Sequence, residues 1–80
     1  MINFNEIVNQ INTSVLGVKG KRNAQNLTEA ILDQNNVRYN KAQRESFTHY
    51  YLEVDEKTGG SRSLFLSYNG SGKVKEIKTY

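Results

Sequence analysis

Residues 46–80 read SFTHYYLEVDEKTGGSRSLFLSYNGSGKVKEIKTY, and this stretch decides the fold. Two clusters of turn residues divide it into three runs with alternating apolar side chains, Ser46–Asp55, Arg62–Tyr68 and Lys73–Thr79. The first cluster contains paired glycines and the second is Asn69–Gly72, and such residues supply the positive φ angles of tight hairpins. Alternating runs separated by short turns are typical of an antiparallel meander. The sequence therefore predicts three antiparallel strands.

The first predicted strand has two faces of different chemistry. The face expected to pack on helices consists of Thr48, Tyr50, Leu52 and Val54. The opposite face carries Phe47, His49, Tyr51 and Glu53, and Phe65 of the second strand can extend its aromatic row. Outward aromatic rings can stack on the bases of a single strand, form a protein or dimer interface, or shield the sheet by cross-strand packing. All three interpretations are open from the sequence.

The third predicted strand departs from strict alternation. Val74 and Ile77 are three positions apart, so a regular strand would place them on opposite faces. Either a β-bulge or burial on both sides resolves this. Its lysines are typical of a solvent-exposed edge strand that resists aggregation.

Two helices are predicted before the sheet. In the first, Asn3–Leu16, apolar residues recur at helical spacing: Phe4, Ile7, Val8, Ile11 and Val15. Asn3 is expected to cap its start and Gly17 to end it. In the second, Asn23–Gln34, the expected buried residues are Leu27, Ala30 and Ile31. Its predicted cap is Asn23 or Asn26, and Asn35 and Asn36 are expected to end it.

The segment Val37–Glu45 follows neither the helical nor the strand period. It is either a short helical turn beginning after Asn40 or an extended lead into the sheet. The resulting fold class is α+β, with two N-terminal helices packed on a three-stranded antiparallel meander. At 80 residues, the chain is expected to form a single domain over residues 1–80.

Composition limits the class of function. There is no cysteine, which excludes disulfides and thiolate metal sites. No apolar run approaches the length of a membrane span. The start MINFNEIV lacks the basic-then-apolar layout of a signal peptide, so a cytoplasmic location is expected. The core is lean at 36% hydrophobic residues, and a homodimer would bury more surface.

The positive charge suggests a polyanionic partner. The net charge is +3, and cations are concentrated between Lys19 and Arg44. We expect phosphates to be neutralised by Lys19, Lys21, Arg22, Arg38, Lys41 and Arg44. We expect bases to stack on Tyr39, Phe47 and Tyr51. The favoured prediction is therefore a small basic protein that binds RNA or single-stranded nucleic acid.

The sequence contains few candidate catalytic residues. His49 is the only histidine, and Glu53 shares its strand face, so the pair could perform acid–base chemistry. A lone histidine in a strand is more often a surface or interface residue. The sequence offers no nucleophile triad and no metal-ligand cluster. We expect no enzymatic activity, no cofactor and no metal.

A compositional resemblance adds one further expectation. Asparagine occurs ten times, lysine outnumbers arginine, and proline is absent. In this the chain resembles the small accessory proteins of AT-rich phages, many of which block a host defence or toxin system by binding RNA or a host protein. The resemblance implies a non-enzymatic inhibitor. Combined with the expected RNA binding, this gives an RNA-dependent inhibitor of a host defence or toxin protein. The alternative is a protein-interaction module that inhibits an enzyme through the outward aromatic face.

Overall fold

The chain folds into two helices followed by four strands. The computed structural model describes residues 4–55 and 60–80. The elements are α1 (Phe4–Val15), α2 (Lys21–Gln34), β1 (Arg38–Gln43), β2 (Phe47–Asp55), β3 (Gly60–Tyr68) and β4 (Val74–Thr79). The strands form one antiparallel sheet in the order β1-β2-β3-β4. The α+β class is confirmed, but the sheet has four strands where three were predicted.

The additional strand is β1, in the segment that the sequence left unassigned. It pairs antiparallel with β2, and Arg38 lies opposite Glu53 while Gln43 lies opposite Thr48. The chain turns into it at Asn36, which has a φ of 56°, and the amide of Val37 then bonds to the carbonyl of Leu32 at 2.9 Å. The segment is therefore extended from residue 38 and contains no helical turn after Asn40.

The sheet packs one face on the helices, as predicted for the first predicted strand. Thr48, Tyr50 and Leu52 of β2 are fully buried on this face. The side chain of Val54 and the hairpin residues 56–59 lie outside the described part of the chain. Other strand residues of the core are Leu64, Leu66, Tyr68 and Val74, and α1 contributes Ile7, Ile11 and Val15.

Helix α2 buries a different face from the predicted one. Ala24, Thr28 and Leu32 are fully buried, whereas Leu27 is 41% exposed. Ala30 is also exposed and Ile31 is only partly buried. The spacing of four residues between Ala24, Thr28 and Leu32 is as helical as that of the predicted set. The prediction chose the face with the more apolar residues, Leu27, Ala30 and Ile31, and this choice was wrong.

The helix ends differ from prediction at one point. Helix α1 is followed by Gly17 with a φ of 85°, as expected for a glycine that ends a helix. The predicted cap Asn3 lies outside the described residues. Helix α2 begins at Lys21, with Gly20 at the N-cap and no side-chain cap, so neither Asn23 nor Asn26 caps it. Asn35 forms its C-terminal cap, as predicted.

A β-bulge resolves the irregular spacing in β4. The register with β3 shifts beside Tyr68, so that Val74 lies opposite Tyr68 and Ile77 lies opposite Leu66. Both apolar residues of β4 consequently lie on the helix side of the sheet, as the bulge alternative predicted. Within residues 4–55 and 60–80, neither helix has the length and hydropathy of a membrane span.

Candidate nucleic-acid interface

One end of the molecule is formed by the docking of two glycine-containing loops. The amide of Gly17 bonds to the carbonyl of Val74 at 2.9 Å, and that of Gly20 bonds to the carbonyl of Gly72 at 3.0 Å. An isolated antiparallel bridge between them pairs Lys19 with Lys73. This long-range pairing brings together two lysines that are far apart in the sequence. Both side chains are exposed.

The start of α2 adds two more cations at this end. Lys21 and Arg22 occupy its first turn, which contains no acidic residue. The ammonium of Lys21 donates to the backbone carbonyl of Glu45 and lies 5.6 Å from the centre of the Tyr68 ring. Two cations at an uncapped helix N-terminus add to the positive end of the helix dipole instead of compensating it. No acidic side chain in the first turn of α2 therefore offsets this positive charge.

The turn between β1 and β2 completes the group. Arg44 lies in this turn, where its amide bonds to the carbonyl of Phe47 at 2.8 Å. We call the resulting surface the basic end, and it comprises Lys19, Lys21, Arg22, Arg44 and Lys73. Because the Lys21–Glu45 bond joins α2 to this turn, the five cations belong to one contiguous part of the fold.

A polar groove continues from the basic end along the edge of the sheet. We call it the α2–β1 groove, and it is lined by Arg22, Gln25, Asn26, Glu29, Lys41 and Gln43. Its volume is about 350 Å³. The four α2 residues recur at helical spacing and so form one stripe, while Lys41 and Gln43 alternate on the helix-facing side of β1. The lining is almost entirely polar.

A hydrogen-bond network fixes the floor of this groove. The Glu29 carboxylate accepts hydrogen bonds from the hydroxyl of Tyr39 at 2.9 Å and from that of Tyr50 at 3.0 Å. The ammonium of Lys41 lies 3.1 Å from the same carboxylate. Gln25 connects the network inward, because its Nε2 donates to Thr48 at 3.2 Å. Side-chain hydrogen bonds therefore join Glu29 and Gln25 of α2 to Tyr50 and Thr48 of β2.

The network shifts the pKa of its members in opposite directions. Burial alone raises the pKa of Glu29, but the hydrogen bonds from Lys41, Tyr39 and Tyr50 lower it below its ordinary value. Burial and the bond to Glu29 raise the pKa of Tyr39 to about 12. Burial and the charge of Glu29 also raise the pKa of Tyr50. The carboxylate is therefore ionised and both phenols are protonated at neutral pH.

The face of the sheet opposite the helices carries an aromatic row. We call it the outer face, and its rings are Phe47, His49, Tyr51, Phe65 and Tyr80. The His49 ring stacks on Phe65 at 4.0 Å and lies 3.9 Å from Tyr51. Tyr51 and Tyr80 are 47% and 67% exposed, whereas the other three rings are partly covered. Much of the row is therefore packed against itself.

His49 does not have the surroundings of a general acid or base. Its Nε2 atom is buried and has no hydrogen-bond partner among the described residues. Burial lowers the pKa of the imidazole, so the ring is neutral at physiological pH. Across the described ranges, no group of three or more histidine, cysteine or acidic residues could hold a metal ion.

The residues predicted to bind nucleic acid lie on two surfaces. Lys19, Lys21, Arg22 and Arg44 belong to the basic end, and Lys41 lies in the adjoining groove. Arg38, Phe47 and Tyr51 lie on the outer face, as the pairing of β1 with β2 requires. Tyr39 lies on neither exposed surface: its ring is half-buried, 5.6 Å from the Tyr50 ring, and its hydroxyl bonds to Glu29.

Sequence reasoning missed several members of these surfaces. Lys73 was interpreted as an edge-strand residue, and its approach to Lys19 depends on a long-range pairing with no local signal. The amides Gln25, Asn26 and Gln43 were not predicted to belong to a binding surface, and Asn26 was predicted only as a helix cap. A helical-wheel analysis of the polar residues of α2 would have found the stripe of Arg22, Gln25, Asn26 and Glu29. The chain matches no protein-family model, no curated protein and no solved structure.

Proposed function

We propose that this protein binds single-stranded nucleic acid through the basic end and the α2–β1 groove, without catalysis. The observation that carries the proposal is the docking of the α1–α2 loop on the β3–β4 turn, which places Lys19 beside Lys73. The basic end therefore combines cations from four segments of the chain, namely the α1–α2 loop, the start of α2, the β1–β2 turn and the β3–β4 turn. A surface of this kind neutralises phosphates regardless of sequence.

The arrangement of charge supports a phosphate ligand. The carboxylates closest in sequence to these cations are Glu45, Glu76 and Glu29. Glu76 is paired with Lys78 at 3.2 Å, and Glu29 is paired with Lys41 at 3.1 Å. The side chain of Arg22 forms no ion pair or hydrogen bond with any residue that the structure describes. The first turn of α2 offers amide hydrogens and a positive dipole to the same ligand. Phe47 directly follows the β1–β2 turn and is placed to stack on a base that leaves the basic end.

The outer face is a second candidate surface, and it suits a protein better than a polyanion. Arg38 lies opposite Glu53 in the register, and Lys78 forms an ion pair with Glu76 at 3.2 Å. Its charges are thus balanced while Tyr51 is exposed, and exposed tyrosine is enriched at protein interfaces. This favours the alternative function, in which the face docks a host protein or a second copy of this chain. An RNA-dependent inhibitor would use both surfaces.

Removing cations from the basic end tests the proposal. We expect the double variant Arg22→Ala/Lys73→Ala to bind labelled single-stranded RNA roughly tenfold more weakly, as measured by fluorescence anisotropy. The slope of log affinity against log salt should fall in magnitude by roughly 1.4, because each phosphate contact contributes about 0.7 for a single strand. Both residues are exposed, so folding should be retained.

Arg38→Ala/Lys78→Ala is the matched control, because it removes the same charge from the outer face. We expect it to change affinity by less than threefold, roughly the effect of net charge alone. Equal losses in the two variants would show that the basic end is not the site. In the same titration, a large loss for Tyr51→Ala would instead extend the base-binding surface beyond Phe47 and across the outer face.

A further inference from the structure

The α2–β1 groove contains polar side chains that form no hydrogen bond within the described part of the fold. The side chains of Arg22, Asn26 and Gln43 line it and form no hydrogen bond or ion pair to any other described residue. Gln25 differs, because its amide donates to Thr48 and its carbonyl accepts from Lys41 at 3.3 Å. Two amides and one guanidinium therefore remain available to a ligand in this groove.

Glu29 adds an acceptor to these groups. Its Oε2 atom accepts from both Lys41 and Tyr50, whereas Oε1 accepts only from Tyr39. A carboxylate oxygen has two lone pairs, so Oε1 retains one for a further donor. The network that holds Glu29 fixes the direction of this lone pair. In the groove, Glu29 Oε1 can therefore accept a hydrogen bond from a ligand hydroxyl, and Arg22 and Lys41 supply positive charge to the same groove.

This combination specifies the chemistry of the ligand. Arg22 and Lys41 suit phosphate oxygens, and the amides with Glu29 suit hydroxyl groups that both donate and accept. The polar lining provides no stacking surface for a base. A volume of about 350 Å³ lies within the roughly 300–1,000 Å³ of typical small-ligand sites. A sugar–phosphate unit with a hydroxyl group meets these conditions.

We propose that the α2–β1 groove binds the ribose–phosphate backbone and selects RNA over DNA through the 2′-hydroxyl. This inference rests on the nucleic-acid function proposed above and specifies its substrate class. The 2′-hydroxyl is both a donor and an acceptor, and it is the group by which proteins distinguish RNA from DNA. Arg22 belongs to both the groove and the basic end, so a strand held at the basic end extends directly into the groove.

The test compares labelled oligouridylate with oligodeoxyuridylate of equal length, which differ only in the 2′-hydroxyl. By anisotropy we expect the wild-type protein to bind the RNA roughly tenfold more tightly. Asn26→Ala/Gln43→Ala should weaken RNA binding roughly fivefold more than it weakens DNA binding, because only RNA carries the hydroxyl that these amides contact. Asn5→Ala/Asn9→Ala removes two exposed amides from α1 instead, and it should preserve both affinities.

The outcomes separate this inference from the proposed function. Equal affinity of the wild-type protein for the two polymers would overturn RNA selectivity and leave nucleic-acid binding intact. Equal losses of RNA and DNA binding in the Asn26/Gln43 variant would overturn the role of the groove in reading the 2′-hydroxyl. Failure to bind either polymer at low salt would overturn both proposals.

Discussion

We expect Leu32→Ala to lower the free energy of unfolding by roughly 3 kcal/mol, within the range of about 2–5 kcal/mol for buried leucines. Leu32 is fully buried in α2, and its truncation removes apolar contacts and leaves a cavity. An 80-residue domain has a total stability of about 4–12 kcal/mol. The variant should therefore unfold at a much lower urea concentration with a similar slope.

Leu27→Ala is the matched control for this experiment, because it makes the same chemical change in the same helix. Leu27 is 41% exposed, and alanine favours helix more than leucine does. We expect its cost to be about 0.5 kcal/mol. If Leu27→Ala were as destabilising as Leu32→Ala, the helix would bury the face predicted from the sequence and not the one described here.

Replacing Glu29 should give the second large effect. We expect Glu29→Leu to cost roughly 3 kcal/mol, because the hydroxyl of the fully buried Tyr50 loses its acceptor and Lys41 loses its partner. Tyr50→Phe alone should cost about 1 kcal/mol. The double variant Glu29→Leu/Tyr50→Phe should lose less unfolding free energy than the two single variants together, because phenylalanine at position 50 needs no hydrogen-bond acceptor. Additive costs in urea unfolding would contradict a direct Glu29–Tyr50 interaction.

The same carboxylate predicts an acid dependence of stability. The pKa of Glu29 is lower in the folded protein than its ordinary value of 4.5. Its stabilising contribution is therefore complete above that ordinary value and is lost as the pH falls through the folded pKa. Wild-type protein should lose more stability between neutral pH and a pH of about 3 than Glu29→Leu does.

The sequence predicted those elements whose apolar pattern is periodic. Strands β2 and β3 alternate clearly, and α1 has a single apolar face. Strand β1 was not predicted because its helix-facing side chains Tyr39 and Lys41 both bond to the Glu29 carboxylate, and only Tyr39 also packs against the core. An edge strand that packs on polar groups has no hydrophobic alternation to detect. Its detection required knowledge of its partner strand.

The candidate site was predictable as composition but not as geometry. Four of the predicted cations lie together at the basic end. Lys19, Lys21 and Arg22 are close in sequence, and Arg44 joins them because Lys21 bonds to the neighbouring carbonyl of Glu45. Lys73 joins them through backbone bonds between loops that contain Gly17 and Gly72. No local pattern encodes a contact of that sequence separation. The groove was missed for a different reason, since amide side chains are common on any helix surface.

The same loop docking has a consequence for the order of folding. Each strand pairs with its neighbour in sequence, so the meander can close by short loops, which is fast. The bond between Gly17 and Val74 instead joins segments more than 50 residues apart and requires closure of well over half of the chain. Capture of RNA after dilution from urea should then lag behind the recovery of far-ultraviolet circular dichroism. A nascent chain that still lacks β4 would carry most of the positively charged side chains. It could not yet form the Gly17–Val74 bond that helps to bring those of the basic end together.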